Sequence, residues 1–154
     1  MKLRVGSPVA GRTATLARVP DPVFARALVG PGLAVWPEDG PADAVAPIDG
    51  TVATLHPHAF VVAADDGRAV LVHLGIDTVE RHGEGFTSHV VRGESVRAGQ
   101  PVLGWHPAAV RQAGYSPVVP VIALDATTAA LAIPPEGATV GVGQELFVWS
   151  PRQA

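Results

Sequence analysis

The chain alternates short apolar runs with clusters of glycine, proline and acidic residues. Residues 60–63 and 69–72 are two such runs, and Asp65-Asp66-Gly67 separates them. Apolar runs of this length on either side of a glycine-bearing turn are typical of a β-hairpin. The pattern therefore predicts many short strands, among them one hairpin that brings His58, at the outer end of one strand, near His73, at the outer end of the other.

Two segments depart from the strand pattern. Residues 106–114 carry Pro107 near their start and Gly114 at their end, which is the usual order of these residues in a short helix. Residues 24–30 are compatible with a second helical turn or with a strand. The pattern as a whole favours an all-β fold with one or two short helical turns.

Parts of the chain recur. Residues 7–16 resemble residues 46–55, because Pro, Gly, Ala, Thr and Leu come in the same order and spacing. Residues 93–105 also resemble residues 137–149. Each unit has the pattern of a strand, a glycine turn and a second strand. The recurrence predicts a duplicated antiparallel β-sandwich whose halves pack face to face.

Composition narrows the classes of function. The length of 154 residues suits one domain with a sizeable core, so we expect residues 1–154 to form a single domain. The net charge of −3 argues against a nucleic-acid partner, which would need clustered Lys and Arg. The chain has no cysteine, which excludes thiolate catalysis. No apolar stretch reaches the length of a membrane span or a signal peptide, so we expect a cytoplasmic protein.

His73 is the main candidate for chemistry. It lies in an apolar run that ends in Gly75-Ile76-Asp77-Thr78, where a buried imidazole needs a partner for each nitrogen. A core histidine with both nitrogens satisfied is the structural alternative. Together with His58, however, it forms a pair that could transfer a phosphoryl group or bind metal. Phosphoryl transfer would need one neutral ring with a bare nitrogen, a second ring that donates to phosphoryl oxygens, and an apolar rim that excludes water.

Residues 67–79 resemble, position for position, the active-site signature of the glucose family of enzyme IIA in the bacterial sugar phosphotransferase system. The resemblance extends from about Ser7 to Trp149, which we take as the core of the domain. Further landmarks of this family recur in the family's order at residues 19–24, 29–32, 46–50, 58–60, 83–86 and 116–119.

The resemblance implies a role and a fold. His73 would accept the phosphoryl group from the small carrier HPr, His58 would be the second active-site histidine, and a cysteine of an enzyme IIB domain would receive the phosphate. The fold would be a compact antiparallel β-sandwich of the barrel-sandwich hybrid type. No cofactor would be required. We expect a monomer with peripheral contact to a membrane permease, and regulatory binding of other proteins is compatible with this role.

The resemblance also implies a surface for the partner proteins. Asp21 and Asp77 match acidic positions that flank the site and meet a basic residue of the carrier, although Asp77 could instead cap its own backbone. Val23, Phe24 and Leu71 are candidates for an apolar centre, and core packing is the alternative for Phe24.

One departure from the family concerns the residues just before His58. The family usually places Thr-Asn there, and this chain has His56-Pro57 in a shorter loop. The role of His56 is open at this point.

Two readings involve zinc. His58 and His73 could bind the ion weakly, with His56 as a third ligand if Pro57 allows the geometry. A zinc peptidase of the lysostaphin type is the second hypothesis for the function, because His73-x-x-x-Asp77 and His56-x-His58 supply its two motifs, although in the reverse order.

A third hypothesis is a biotinyl or lipoyl carrier. Such a carrier needs a lysine at a hairpin tip, and the only lysine of the chain is Lys2, near its start, so this hypothesis fails.

Overall fold

The computed structural model describes residues 1–151, and short β-strands dominate it. Two helices are present in this part of the chain, α1 (Pro22–Ala25) and α2 (Pro107–Gln112), together with single 3-10 turns at Leu16–Arg18, Thr78–Arg81 and Thr128–Ala130. The prediction of an all-β fold with short helical turns is confirmed. The strands are β1 Leu3–Gly6, β2 Gly11–Thr15, β3 Gly32–Pro37, β4 Ala42–Val45, β5 Gly50–His56, β6 Ala59–Ala63, β7 Ala69–His73, β8 Thr87–Ser88, β9 Ser95–Val96, β10 Pro101–Trp105, β11 Val119–Ala123, β12 Leu131–Ala132, β13 Thr139–Val140 and β14 Glu145–Trp149.

The sheets repeat the same arrangement twice. An eight-stranded antiparallel sheet has the order β13-β2-β3-β11-β7-β6-β5-β9, and two three-stranded sheets have the orders β1-β14-β12 and β4-β10-β8. When the order of the large sheet is followed inward from its two edges, equivalent positions are occupied by β13 and β9, by β2 and β5, by β3 and β6, and by β11 and β7. The recurring sequence segments occupy these matched positions, so the predicted duplication is confirmed. The halves are also joined edge to edge along β7 and β11, where Val72 pairs with Val121, and their buried side chains share one main core.

The two faces of β7 enter different apolar clusters. Val70 and Val72 belong to the main core between the sheets, whereas Leu71 and its cross-strand partner Ile122 pack in a smaller cluster on the outer face. Successive side chains of a strand point to opposite faces, so His73 shares the outer face with Leu71. A histidine can therefore follow Val72 directly without entering the main core.

The outer face is covered on one half and open on the other. Residues 16–31 connect β2 to β3, and their Leu16, Val19 and Phe24 are buried in the outer cluster. The matched connection from β5 to β6 is only the two-residue loop Pro57-His58. A loop this short cannot cover the sheet, so the end of β6 and β7 remains accessible.

Within residues 1–151, no helix is long and apolar enough to cross a membrane.

Candidate functional site

The β6–β7 pairing brings His58 and His73 together. Ala59 pairs with His73 across the two strands, and the backbone N–H of Leu74 donates to the carbonyl oxygen of His58 at 2.8 Å. The centroids of the two imidazole rings are 5.1 Å apart, and the rings are inclined at 70° to one another. The hairpin read from the sequence therefore places the two rings in edge-to-face contact.

A backbone carbonyl selects the tautomer of His73. Its Nδ1 lies 2.5 Å from the carbonyl oxygen of Gly75. A carbonyl oxygen can only accept a hydrogen bond, so Nδ1 must carry the proton and Nε2 must carry the lone pair. Among the described residues Nε2 has no hydrogen-bond partner, and it is not buried. His73 thus presents a bare nitrogen, which is the form that a nucleophilic imidazole requires.

The position of this carbonyl depends on glycine. Gly75 has a φ of +80°, and a Cβ there would lie 2.7 Å from Cγ2 of Thr78 and 2.9 Å from the carbonyl oxygen of Ser116. The backbone N–H of Gly75 donates to Val118 at 3.1 Å, and the Thr78 hydroxyl donates to the Leu74 carbonyl at 2.8 Å. These contacts hold the turn after β7 so that its carbonyl faces the ring. The sequence signature contained Gly75, but its task became evident only from the geometry.

Burial keeps both rings neutral. Desolvation is the main cause that lowers the pKa of His73, while the hydrogen bond to Gly75 and the carboxylates of Asp21 and Asp77 oppose it. The pKa of His58 falls to about 4, chiefly through desolvation and then through the nearby His73 and His56 rings. Near neutral pH each ring therefore has one N–H and one lone pair.

The remaining predicted site residues lie around His73 in different ways. The ring of Phe24 is 5.3 Å from that of His73 and is only 7% exposed, so it supports the histidine from the outer cluster. Leu71 is half-buried in the same cluster. Val23 is 41% exposed beside them. Asp21 accepts a hydrogen bond from the N–H of Val23 at 2.9 Å and so caps α1.

Asp77 has a left-handed backbone conformation with φ 61°, at the start of a 3-10 turn. Its side chain makes no capping hydrogen bond there, so the alternative that this carboxylate caps its own backbone is not what the structure shows. The Asp77 charge is instead felt by His73.

His56 is a neighbour that the sequence left unassigned. Its ring stacks on that of His58, with 5.7 Å between centroids and 23° between planes. A two-residue loop between paired His56 and Ala59 brings the rings together. The His-x-His spacing was visible in the sequence, but the stacking depends on the conformation of this loop.

Two concavities among the described residues lie outside the histidine pair, because neither His58 nor His73 lines them. One concavity, of about 300 Å³, is lined by Leu55, His56, Pro57, Gly83, Phe86 and Ser88, and the other, of about 490 Å³, by Pro41, Ala42, Asp43, Gly85, Thr87, His89, Gly104, Trp105 and His106.

The side chains around His58 and His73 do not form the ligand set of a catalytic zinc site. Within the described residues, no group of three His, Cys, Asp or Glu side chains is arranged to hold a metal ion. A catalytic zinc site needs three protein ligands and an open position, and two imidazoles leave half of the tetrahedral shell unfilled. The geometry therefore argues against the peptidase reading, and His56 does not complete a three-ligand site.

Comparisons with known proteins agree with this geometry. Residues 3–129 match the family model for the phosphoenolpyruvate-dependent sugar phosphotransferase system, EIIA 1. A glucose-specific EIIA component of Oceanobacillus iheyensis is 37% identical over 123 residues, which cover 79% of this chain and 73% of that protein. A β-glucoside-specific EIIBCA component of Bacillus subtilis is 36% identical over 77% of this chain, which spans 19% of that longer protein.

The fold has a close counterpart among solved structures. The glucose permease IIA of Mycoplasma capricolum superposes with a TM-score of 0.88 and 31% sequence identity, and the match covers 96% of each chain. The family match, the shared fold and the paired histidines lead to one conclusion. The chain belongs to the EIIA 1 family of the phosphoenolpyruvate-dependent sugar phosphotransferase system and is a phosphotransferase component that carries phosphoryl groups in sugar uptake.

Proposed function

We propose that Nε2 of His73 is the atom that accepts and releases the phosphoryl group. The observation that carries this proposal is the contact between His73 Nδ1 and the Gly75 carbonyl, because it leaves the lone pair on Nε2. Family membership implies HPr as the donor and an EIIB domain as the acceptor. In the first step the phosphorus–nitrogen bond of phospho-HPr breaks as the bond to Nε2 forms. In the second step the phosphorus–Nε2 bond breaks as a cysteine sulfur of EIIB bonds to the phosphorus, and the lone pair returns to Nε2.

His58 has a different role in this proposal. Its neutral ring contacts His73 edge to face and has one N–H to donate. Directed at a phosphoryl oxygen on His73, that N–H would offset charge as the group leaves. Phosphoryl transfer depends on positioning and electrostatic stabilisation more than on covalent chemistry by the protein. A hydrogen-bond donor beside the phosphoryl group is therefore enough for His58 to contribute.

The partner surface in this proposal has an apolar centre and an acidic edge. Val23 is its exposed apolar member, with Leu71 half-buried and Phe24 buried behind it. Asp21 and Asp77 lie close enough to His73 to raise its pKa against the effect of burial. Rim charges of this kind mainly set the association rate with a basic partner.

Several broader expectations remain proposals of the same kind. We propose that residues 1–154 form one IIA domain, that it acts as a cytoplasmic monomer, and that it touches a membrane permease only peripherally. Regulatory binding of other proteins would use the same exposed face. Size-exclusion chromatography with light scattering checks the monomer, and co-sedimentation with membranes that contain the permease checks the contact.

Replacing His73 by alanine should abolish phosphorylation. Incubation with phosphoenolpyruvate, enzyme I and HPr, followed by intact-mass measurement, should show one phosphoryl group on the wild type and none on His73→Ala. The wild-type adduct should be labile in acid and stable in alkali, as expected of a phosphorus–nitrogen bond. His106→Ala, which removes an exposed histidine at the start of α2, is the control and should be phosphorylated normally. A normal adduct on His73→Ala would show that another residue is the acceptor.

Replacing His58 by glutamine should separate acceptance from onward transfer. Glutamine keeps an N–H donor but places it differently from an imidazole. We expect His58→Gln to be phosphorylated by HPr and to pass its phosphate to EIIB at least tenfold more slowly, which corresponds to about 1.4 kcal/mol in the barrier. Rapid-quench measurement of both half-reactions checks this. Equal transfer rates for the variant and the wild type would contradict the role given to His58.

Replacing Asp77 by asparagine should slow phosphorylation mainly at low ionic strength. Asparagine tolerates the left-handed conformation that Asp77 adopts, so the change removes charge with little effect on the backbone. We expect the slope of rate against ionic strength to flatten, because salt screens exposed charges. Asp65→Asn is the matched control, since Asp65 lies in the turn at the opposite end of the same hairpin. A slope equal to that of the wild type would exclude Asp77 from the partner surface.

Zinc should bind weakly to the unphosphorylated protein through His58 and His73. Two imidazoles supply only half of a tetrahedral shell, so water or a carboxylate from a partner would have to complete it. No step of the phosphoryl transfer depends on this ion. Calorimetric titration before and after phosphorylation provides the check, because a phosphoryl group on His73 occupies the ligating nitrogen. Equally tight binding in both states would exclude His73 as a ligand.

A further inference from the structure

The orientation of the His58 ring is the starting point. The backbone of His58 is held on two sides, by the β5–β6 hairpin and by the hydrogen bond from Leu74 to its carbonyl oxygen. No such bond holds its side chain, because no hydrogen bond reaches either ring nitrogen from residues 1–151. Its ring is half-buried and has two ring neighbours, His73 and His56. Ring packing is therefore what constrains it.

His56 is built into the hairpin at a fixed distance from His58. It is the last residue of β5 and pairs with Ala59, the first residue of β6. Pro57 occupies the first position of the loop between them, where its ring limits φ to about −65° and stiffens the turn. The near-parallel stacking of the two imidazoles at 5.7 Å is a consequence of this short, stiff connection.

We propose that His56 is a positioning residue for phosphoryl transfer, which clamps the ring of His58 by stacking so that its N–H faces the phosphoryl group on His73. This inference rests on the proposed roles of His73 and His58. His56 touches neither the phosphoryl group nor His73 in this arrangement. It acts through His58 by restricting rotation of that ring, and it needs an aromatic face for this and not a titratable nitrogen.

The surroundings of His56 separate this role from ordinary core packing. His56 is exposed. It also lines the concavity of about 300 Å³, together with Leu55, Pro57 and Phe86. A side chain in such a place contributes little to folding, since exposed substitutions usually have small effects on stability. The ring contact with His58 is thus an interaction that its removal would abolish with little effect on folding.

The size of the effect follows from the strength of an aromatic contact. Stacked aromatic pairs contribute a modest free energy beyond the area they bury, which as a change of rate corresponds to roughly two- to tenfold. Loss of the stack should lower the rate of transfer to EIIB by that factor. Acceptance from HPr depends on the lone pair of His73 and should be unaffected.

Two substitutions distinguish a stacking role from a chemical role of the imidazole. His56→Phe keeps a flat ring and removes both nitrogens, whereas His56→Ala removes the ring. We expect His56→Phe to transfer to EIIB at close to the wild-type rate, and His56→Ala to be roughly two- to tenfold slower in kcat with little change in KM for EIIB. Nuclear Overhauser contacts between the His58 and His73 rings should persist in the Phe variant and weaken in the Ala variant. Both variants should have the unfolding midpoint of the wild type, and His106→Ala serves as the control for loss of a surface histidine.

The experiment distinguishes a failure of the proposed function of His73 from a failure of the positioning role of His56. Each preparation is first phosphorylated by HPr and its adduct mapped to His73, so a missing or relocated adduct counts against the proposed function and not against His56 alone. With the adduct on His73, equal transfer by His56→Ala and wild type overturns the positioning role. A His56→Phe variant as slow as His56→Ala also overturns it, because the nitrogens of His56 would then be required.

Discussion

The hydrogen bond from the His73 Nδ1–H to the Gly75 carbonyl is the interaction on which the site depends. It is local, joining residues two apart, and it requires the chain to turn sharply directly after β7. A residue other than glycine would collide there with Thr78 and with the Ser116 carbonyl. The bond decides which nitrogen of His73 is bare, and hence at which ring atom the proposed phosphoryl transfer would occur. The turn that places this carbonyl is held by the hydrogen bonds from the Gly75 N–H to Val118 and from the Thr78 hydroxyl to Leu74.

The site also depends on a difference between two similar halves. The strand order is the same when read from either edge of the large sheet, yet the connections differ. Residues 16–31 lie over the outer face of one half, and they bring Phe24 against His73. A two-residue loop serves the other half and leaves His56 and His58 at the rim. Duplication supplies the large sheet, and the unequal loops decide which part of its outer face is covered.

Electrostatics in the site is a balance and not a single effect. Burial disfavours the charged form of both imidazoles, and the carboxylates of Asp21 and Asp77 pull the other way at His73. The carboxylates of the proposed partner surface are thus the same groups that, without burial, would favour the protonated form of His73. Desolvation outweighs them, which allows the surface to be acidic while His73 stays neutral.

Much of this protein could be read from local patterns. Alternating apolar runs and glycine turns predict the strands and the hairpin of β6 and β7, and the recurrence of residues 7–16 at 46–55 predicts the duplication, because strand period and turn chemistry are properties of neighbouring residues. The resemblance of residues 67–79 to a known signature singled out His73. The way the halves join was not readable, since pairing of β7 with β11 joins segments about fifty residues apart and leaves no local trace. Nor could the sequence show that His56 stacks on His58, that Phe24 supports His73, or that Asp77 leaves its own backbone uncapped. These features depend on distances between side chains that only the assembled sheet and its loops set, and so they were decided by the tertiary structure.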